Sequence, residues 1–125
     1  MQILESAEDY LESILMLKEK NGYVRSIDVA TELGVTRPSV SYAMKRLREN
    51  GYILFDESDR ISLTDKGLEI AEKIYTRHKV LTKILLDIGV DEETAREDAC
   101  KIEHDISQKS FDALLKHLYK QSDTK

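Results

Sequence analysis

The sequence predicts a mainly α protein. A winged helix-turn-helix fills about residues 1–70, and a helical dimerisation domain fills about residues 71–125. Three observations carry this reading. A short apolar-faced segment, "SIDVATELG", is followed after a three-residue turn by "VTRPSVSYAMKRLRENG", whose outward positions are basic. Two short apolar runs then flank the polar turn "DESD". Beyond them the chain turns helical in period and acidic in charge.

The elements follow in order. The first helix is expected from about Ser6 to Lys20, with Ser6 as cap, Tyr10, Leu11, Ile14, Leu15 and Leu17 as its apolar stripe, and Asn21-Gly22 as its stop. In "SIDVATELG", Ser26 is the expected cap, Val29, Ala30 and Leu33 face inward, and Gly34 closes the helix in the left-handed region. Thr36 should cap the next helix. Pro38 stands in its first turn, where a missing N–H costs nothing. Val40, Met44 and Leu47 recur on its inner side. Tyr52–Phe55 and Arg60–Leu63 read as a hairpin wing. Thr64 should cap a long helix reaching about Ile88, with Gly89 as its breaker. "VDEETAREDACKIEHDIS" places its acids at the positive end of a helix, as the dipole favours, and "SFDALLKHLYK" forms a last helix. A helical hairpin offers little core, so the apolar residues of this half suit pairing with a second copy.

Composition narrows the function. The chain has 125 residues, 34% of them charged, and a net charge of −5. Its single cysteine cannot form an internal disulfide, so a reducing cytoplasm is the expected location. The start, "MQILESAEDY", has no basic segment and no apolar run, so neither a signal peptide nor a membrane partner is expected. The charge is uneven. Val35–Asn50 carries Arg37, Lys45, Arg46 and Arg48 against Glu49, whereas Leu86–Asp105 carries eight acids and two bases. The first stretch suits an anionic partner and the second a cationic one.

The basic helix points to double-stranded DNA. Thr36, Arg37, Pro38, Ser39, Ser41 and Tyr42 begin it, and this end of a recognition helix enters the major groove. Arg37 has the guanidinium fork that suits guanine. Lys45, Arg46 and Arg48, further along, and Arg60 in the wing are placed to hold phosphates. The acidic half contains "CKIEH". Cys100, Glu103 and His104 stand at i, i+3 and i+4, so one helix face carries thiolate, carboxylate and imidazole, all transition-metal ligand types. The bland alternative makes Cys100 a small core residue and its neighbours surface residues. Asp9 and Glu12 are i and i+3 on the first helix, where Asp9 also has the spacing of a capping box with Ser6. His78 lies between Ile74 and Leu81 in the long helix. Each of these three alone is more often structural or solvated than a ligand.

The chain resembles the diphtheria toxin repressor family of metal-dependent transcriptional repressors, and within it the short manganese-responsive branch. The residues that carry the likeness are "EDYLESI", "VTRPSVSYAMKRL", "LTDKG", "RHKVL" and "CKIEHDIS", spread over essentially the whole length. The resemblance implies a homodimer that binds operator DNA when loaded with a divalent metal, and it suggests control of metal uptake. It matches Asp9, Glu12 and His78 to ligands of the manganese branch, and Glu103 and His104 to ligands of both branches. Cys100 departs from the manganese branch, where glutamate is usual, and resembles the iron-responsive branch. That branch has methionine at the place of Asp9 and carries an SH3-like domain. Thr82 and Arg96 stand where its ancillary glutamate and histidine would be. The implied ion is Mn²⁺ or Fe²⁺, with Co²⁺ or Zn²⁺ able to substitute. A metalloenzyme is disfavoured, because no H-E-x-x-H or similar spacing is present. A winged-helix regulator that responds to a non-metal ligand, or binds DNA constitutively, is the alternative, and metal-titrated DNA binding separates it from the sensor.

Overall fold

A computed structural model describes the backbone of residues 5–123 and the side chains of residues 6–118. The order is α1 (Glu5–Asn21), α2 (Ser26–Leu33), α3 (Arg37–Glu49), β1 (Ile53–Phe55), β2 (Ile61–Leu63), α4 (Asp65–Asp87), α5 (Glu92–Asp105) and α6 (Gln108–Asp123). The chain divides into two compact units, Met1–Tyr75 and Thr76–Lys125.

The first unit has a closed apolar core. Leu11 and Ile14 of α1, Val29 of α2, Val40 and Met44 of α3, Ile53 of β1 and Ala71 of α4 belong to one cluster, each at most 1% exposed. The α1, α2 and α3 positions among them lie on the inner stripes read from the period of those segments. Leu33 differs: it is 37% exposed, because α2 ends there and Gly34 (φ 67°) turns the chain away. Ser26 is not the cap of α2 either. Arg25 precedes the helix in extended conformation, and its backbone N–H donates to the Asp28 carboxylate at 2.9 Å. The acid in the first turn thus does the capping from inside the helix. Ser6 already lies within α1. Thr36 caps α3 as expected, its Oγ1 accepting from the Ser39 N–H.

β1 and β2 pair antiparallel, with Leu54 opposite Ser62. The turn between them is held by Asp56, whose Oδ1 accepts from the N–H groups of Ser58 and Arg60 at 2.8 and 2.9 Å. Asp59 takes the left-handed conformation (φ 60°) that an aspartate tolerates. On the other side of β2, the Ile61 N–H donates to the Val24 carbonyl and Arg25 bridges to Arg60, so the wing is anchored by a third segment. Thr64 closes the unit. Its Oγ1 donates to the Gly51 carbonyl at 2.6 Å and accepts from the Gly67 N–H, which caps α4 against the end of α3.

In the second unit Leu81, Ala95, Ala99 and Phe111 are buried. Asp91 caps α5 by accepting from the Thr94 N–H. That bond and the Thr94 hydroxyl hold the Asp91 carboxyl below its ordinary 3.8. Gly89 (φ 101°) ends α4 in a conformation that other residues rarely adopt. Leu86, Ile88 and Ile102 remain 42%, 72% and 36% exposed, an apolar surplus that the unit does not cover by itself.

Candidate metal centre and nucleic-acid interface

The candidate recognition surface is built by α3. With Val40, Met44 and Leu47 turned inward, helical period leaves the opposite face to solvent. Thr36, Arg37, Pro38, Ser39, Ser41, Tyr42, Lys45, Arg46 and Arg48 are all exposed, as is Arg60 in the wing. Several of the cations rest on aromatic rings. Arg46 donates to the Tyr42 hydroxyl at 3.2 Å and lies 5.8 Å from that ring's centre. Arg48 lies 5.8 Å from the ring of Phe55, and Arg60 lies 4.6 Å from that of Tyr23. Such contacts hold a guanidinium in place without neutralising it, which leaves its charge available to a phosphate. Tyr23 also carries Arg25 at 5.9 Å. Arg25 joins the basic surface from outside the stretch whose charge stood out in the sequence.

The acidic surface of the second unit has a defined centre at Glu103. Its side chain is fully buried, and neither carboxylate oxygen is in a hydrogen bond. Nδ1 of His78, from α4, lies 3.2 Å from Oε2, and Nε2 of His104 lies 3.5 Å from Oε1. The His104 side chain is 2% exposed. Cys100 is exposed, but a ligand atom from each of Cys100, Glu103 and His104 lies within 4.8 Å of the others. The bland reading of this face therefore fails for Glu103 and His104, which are not solvated surface residues.

A buried carboxylate without hydrogen bonds is costly, and a cation is its natural complement. The spacing suits an ion as well. Two adjacent ligands bonded at ~2.1 Å to one octahedral ion are about 3 Å apart, close to the two separations at Glu103. The mixture of imidazole, carboxylate and thiolate belongs to first-row transition metals. The residues present thus fit a divalent transition metal.

Asp9 and Glu12 lie on α1 in the first unit. Asp9 is half-buried and Glu12 is 7% exposed, so Glu12 is more buried than a residue bordering the apolar face would need to be. Tyr75, on α4 in the same unit, has its hydroxyl pKa raised above 10.0, first by burial and then by the Glu19 carboxylate, with the charge of Glu12 adding to the effect.

Sequence reasoning passed over Arg77. It is 5% exposed, and its guanidinium donates to the carbonyls of Glu103 and Ile106 at 3.0 and 2.9 Å and to Gln108 Oε1 at 2.9 Å. The signal was available: Ile70, Ile74, Arg77 and Leu81 follow helical spacing, so an arginine interrupts an apolar stripe.

Comparison with known proteins assigns DNA binding to the first half of the chain and metal binding to the second. Residues 2–58 match the family model described as iron dependent repressor, N-terminal DNA binding domain. Residues 64–122 match its companion, iron dependent repressor, metal binding and dimerisation domain. The HTH-type transcriptional regulator MntR of Bacillus pumilus (strain SAFR-032) is 38% identical over 120 residues, 94% of this chain and 83% of that one. Among solved structures, the manganese regulator SloR aligns with a TM-score of 0.79 at 28% identity, over 95% of this chain and 55% of that one. A manganese-dependent transcriptional repressor in complex with manganese aligns with a TM-score of 0.77 at 26% identity, over 86% and 50%. The chain spans about half the length of these two solved chains. Among the described residues no helix is long and apolar enough to cross a membrane. The chain belongs to the iron-dependent repressor family, the metal-responsive DNA-binding transcriptional repressors related to the diphtheria toxin repressor, which act as homodimers on operator DNA and are not enzymes.

Proposed function

We propose that this protein is a cytoplasmic sensor of Mn²⁺ or Fe²⁺ that represses metal-uptake genes. Residues 1–70 read the operator, and residues 71–125 hold the metal and pair two chains. The observation that carries the metal reading is Glu103: a fully buried carboxylate, unbonded by hydrogen, between two imidazoles. The proposed ligands are Asp9, Glu12, His78, Cys100, Glu103 and His104. Distances within the second unit support His78, Cys100, Glu103 and His104. The family resemblance supports Asp9 and Glu12, together with the burial of Glu12.

A bound ion supplies positive charge that offsets the carboxylates and bonds that hold their side chains together. The residues do the rest. Glu103 and His104 present their ligand atoms from one face of α5, and His78 presents its nitrogen from α4. The proposed set takes Asp9 and Glu12 from the first half of the sequence and the other four ligands from the second. Arg37 with Ser41 and Tyr42 supplies base contacts, while Lys45, Arg46, Arg48 and Arg60 supply phosphate contacts. By linkage, DNA tightens metal binding by the same factor that metal tightens DNA binding.

Cys100 decides the choice of ion. Oxygen and nitrogen ligands suit Mn²⁺, whereas a thiolate moves preference toward Fe²⁺, Co²⁺ and Zn²⁺. Titration with Co²⁺ under anaerobic conditions should produce a sulfur-to-metal charge-transfer band in the near ultraviolet, absent in Cys100→Ala. Cys100→Glu should lose the band and raise the response to Mn²⁺ relative to Fe²⁺. A Cys100→Ala protein with wild-type metal affinity, and no band in the wild type, would remove the thiolate from the set and leave Mn²⁺ as the effector.

A further inference from the structure

Arg77 is a buried cation whose described partners are all neutral. Two are carbonyls at the end of α5, Glu103 and Ile106, the third is the side-chain amide of Gln108 at the start of α6, and the fourth is the ring of Phe111, 5.5 Å from the guanidinium carbon. The last carbonyls of a helix lack partners within the helix and carry the negative end of its dipole. They offset the arginine's charge, and the fork in turn satisfies them. A lysine would offer a single point of donation and could not reach three acceptors in two directions.

What matters for the metal centre is which carbonyl is held. Glu103 meets α4 twice. Its backbone oxygen accepts from Arg77, and its carboxylate faces His78, the next residue along α4. The backbone bond fixes where the Glu103 side chain starts, and His78 lies one residue from the donor. We propose, resting on the metal reading of Glu103 above, that Arg77 is a positioning residue for the metal centre. It holds the Glu103 turn of α5 against α4 before any ion arrives, so the ion meets ligands already at their working separation. Groups that orient metal ligands without touching the metal commonly change affinity 10–100-fold when removed.

The test compares Mn²⁺ affinity with stability of the metal-free protein. Arg77→Lys is expected to bind Mn²⁺ 10–100-fold more weakly by calorimetric titration. Gln108→Ala, which removes one acceptor at an exposed position, is expected to show a smaller loss of the same sign. Its melting temperature in chelator should fall only slightly, because Gln108 is exposed and water can replace its oxygen and its bond to Asp112. A loss of affinity that exceeds the loss of stability is a separation that a purely structural role would not give. If Arg77→Lys fails to fold, Gln108→Ala decides. Wild-type Mn²⁺ affinity in Gln108→Ala and in any folded Arg77→Lys protein would overturn the positioning role alone. A wild-type protein that takes up no Mn²⁺, Fe²⁺ or Co²⁺ would instead overturn the reading of the site, and the positioning role with it.

Discussion

At the scale of single residues, Glu103 is the point where stability and function oppose each other. Its carboxylate is buried without hydrogen bonds, and such a group costs about 1–3 kcal/mol relative to a satisfied one. Glu103→Gln keeps the shape and removes the charge. In chelator, the variant should unfold at higher urea concentration than the wild type, by an amount corresponding to about 1 kcal/mol or more. With Mn²⁺ the order should reverse, because the wild type gains the binding free energy and the variant does not. A variant that is less stable than the wild type in chelator would mean that His78 and His104, 3.2 and 3.5 Å from the carboxylate, already compensate its charge without metal. Little of this could be read from the sequence. The spacing of Cys100, Glu103 and His104 placed them on one helix face, but spacing carries no information about depth. Whether that face is solvated or sealed depends on neighbouring elements, and these bury Glu103 and His104 while leaving Cys100 exposed. Arg77 was legible as an interruption of an apolar stripe, but its role was not, because its acceptors Glu103 and Ile106 come from a distant part of the sequence.

At the scale of elements, local pattern specified most of the first unit. The α3 stripe coincides with its buried residues, and Leu11, Ile14 and Leu17 of the α1 stripe are buried with Tyr10 and Leu15 partly so. The Thr36 cap and Pro38 start α3, and the two strands appear where apolar runs flank "DESD". The departures occur where a short element's end is decided by what lies next to it: Leu33 runs out past the core, and Asp28 caps α2 in place of Ser26. The join between α3 and α4 is the element-level feature that period alone does not reveal. Gly67, in the first turn of α4, sits against the backbone of Tyr52, and a Cβ there would overlap the Tyr52 carbonyl. Backbone cannot yield as a flexible side chain would, so Gly67→Ala must push α4 away from the end of α3. That should also strain the neighbouring bonds of Thr64 to Gly51 and of Lys66 to Asn50. A loss of about 1–3 kcal/mol is expected by urea denaturation. A neutral Gly67→Ala substitution would show that the contact relaxes freely and that the two helices are not rigidly joined.

At the scale of the whole molecule, a net charge of −5 conceals two oppositely charged surfaces. A basic α3, together with Arg60 of the otherwise acidic wing, is the surface proposed for DNA, and an acid-rich α5 is the one proposed for metal. The two are linked through one polypeptide in which α4 starts at the end of the DNA-reading fold and carries His78 eleven residues beyond Gly67. Family membership and the apolar residues left exposed on the second unit agree on a homodimer, whose two reading heads meet half-sites at a spacing set by the DNA helical repeat. The most direct test is the affinity of the intact protein for a duplex it has selected from a random-sequence pool, measured by fluorescence anisotropy at fixed salt, with Mn²⁺ or Fe²⁺ and again with chelator. The expected result is tight binding with metal, weakened at least tenfold by chelator and restored by excess metal, with Glu103→Gln bound as weakly as the chelated wild type under both conditions. Equal affinity with metal and with chelator would contradict the account and leave a constitutive DNA-binding protein in its place.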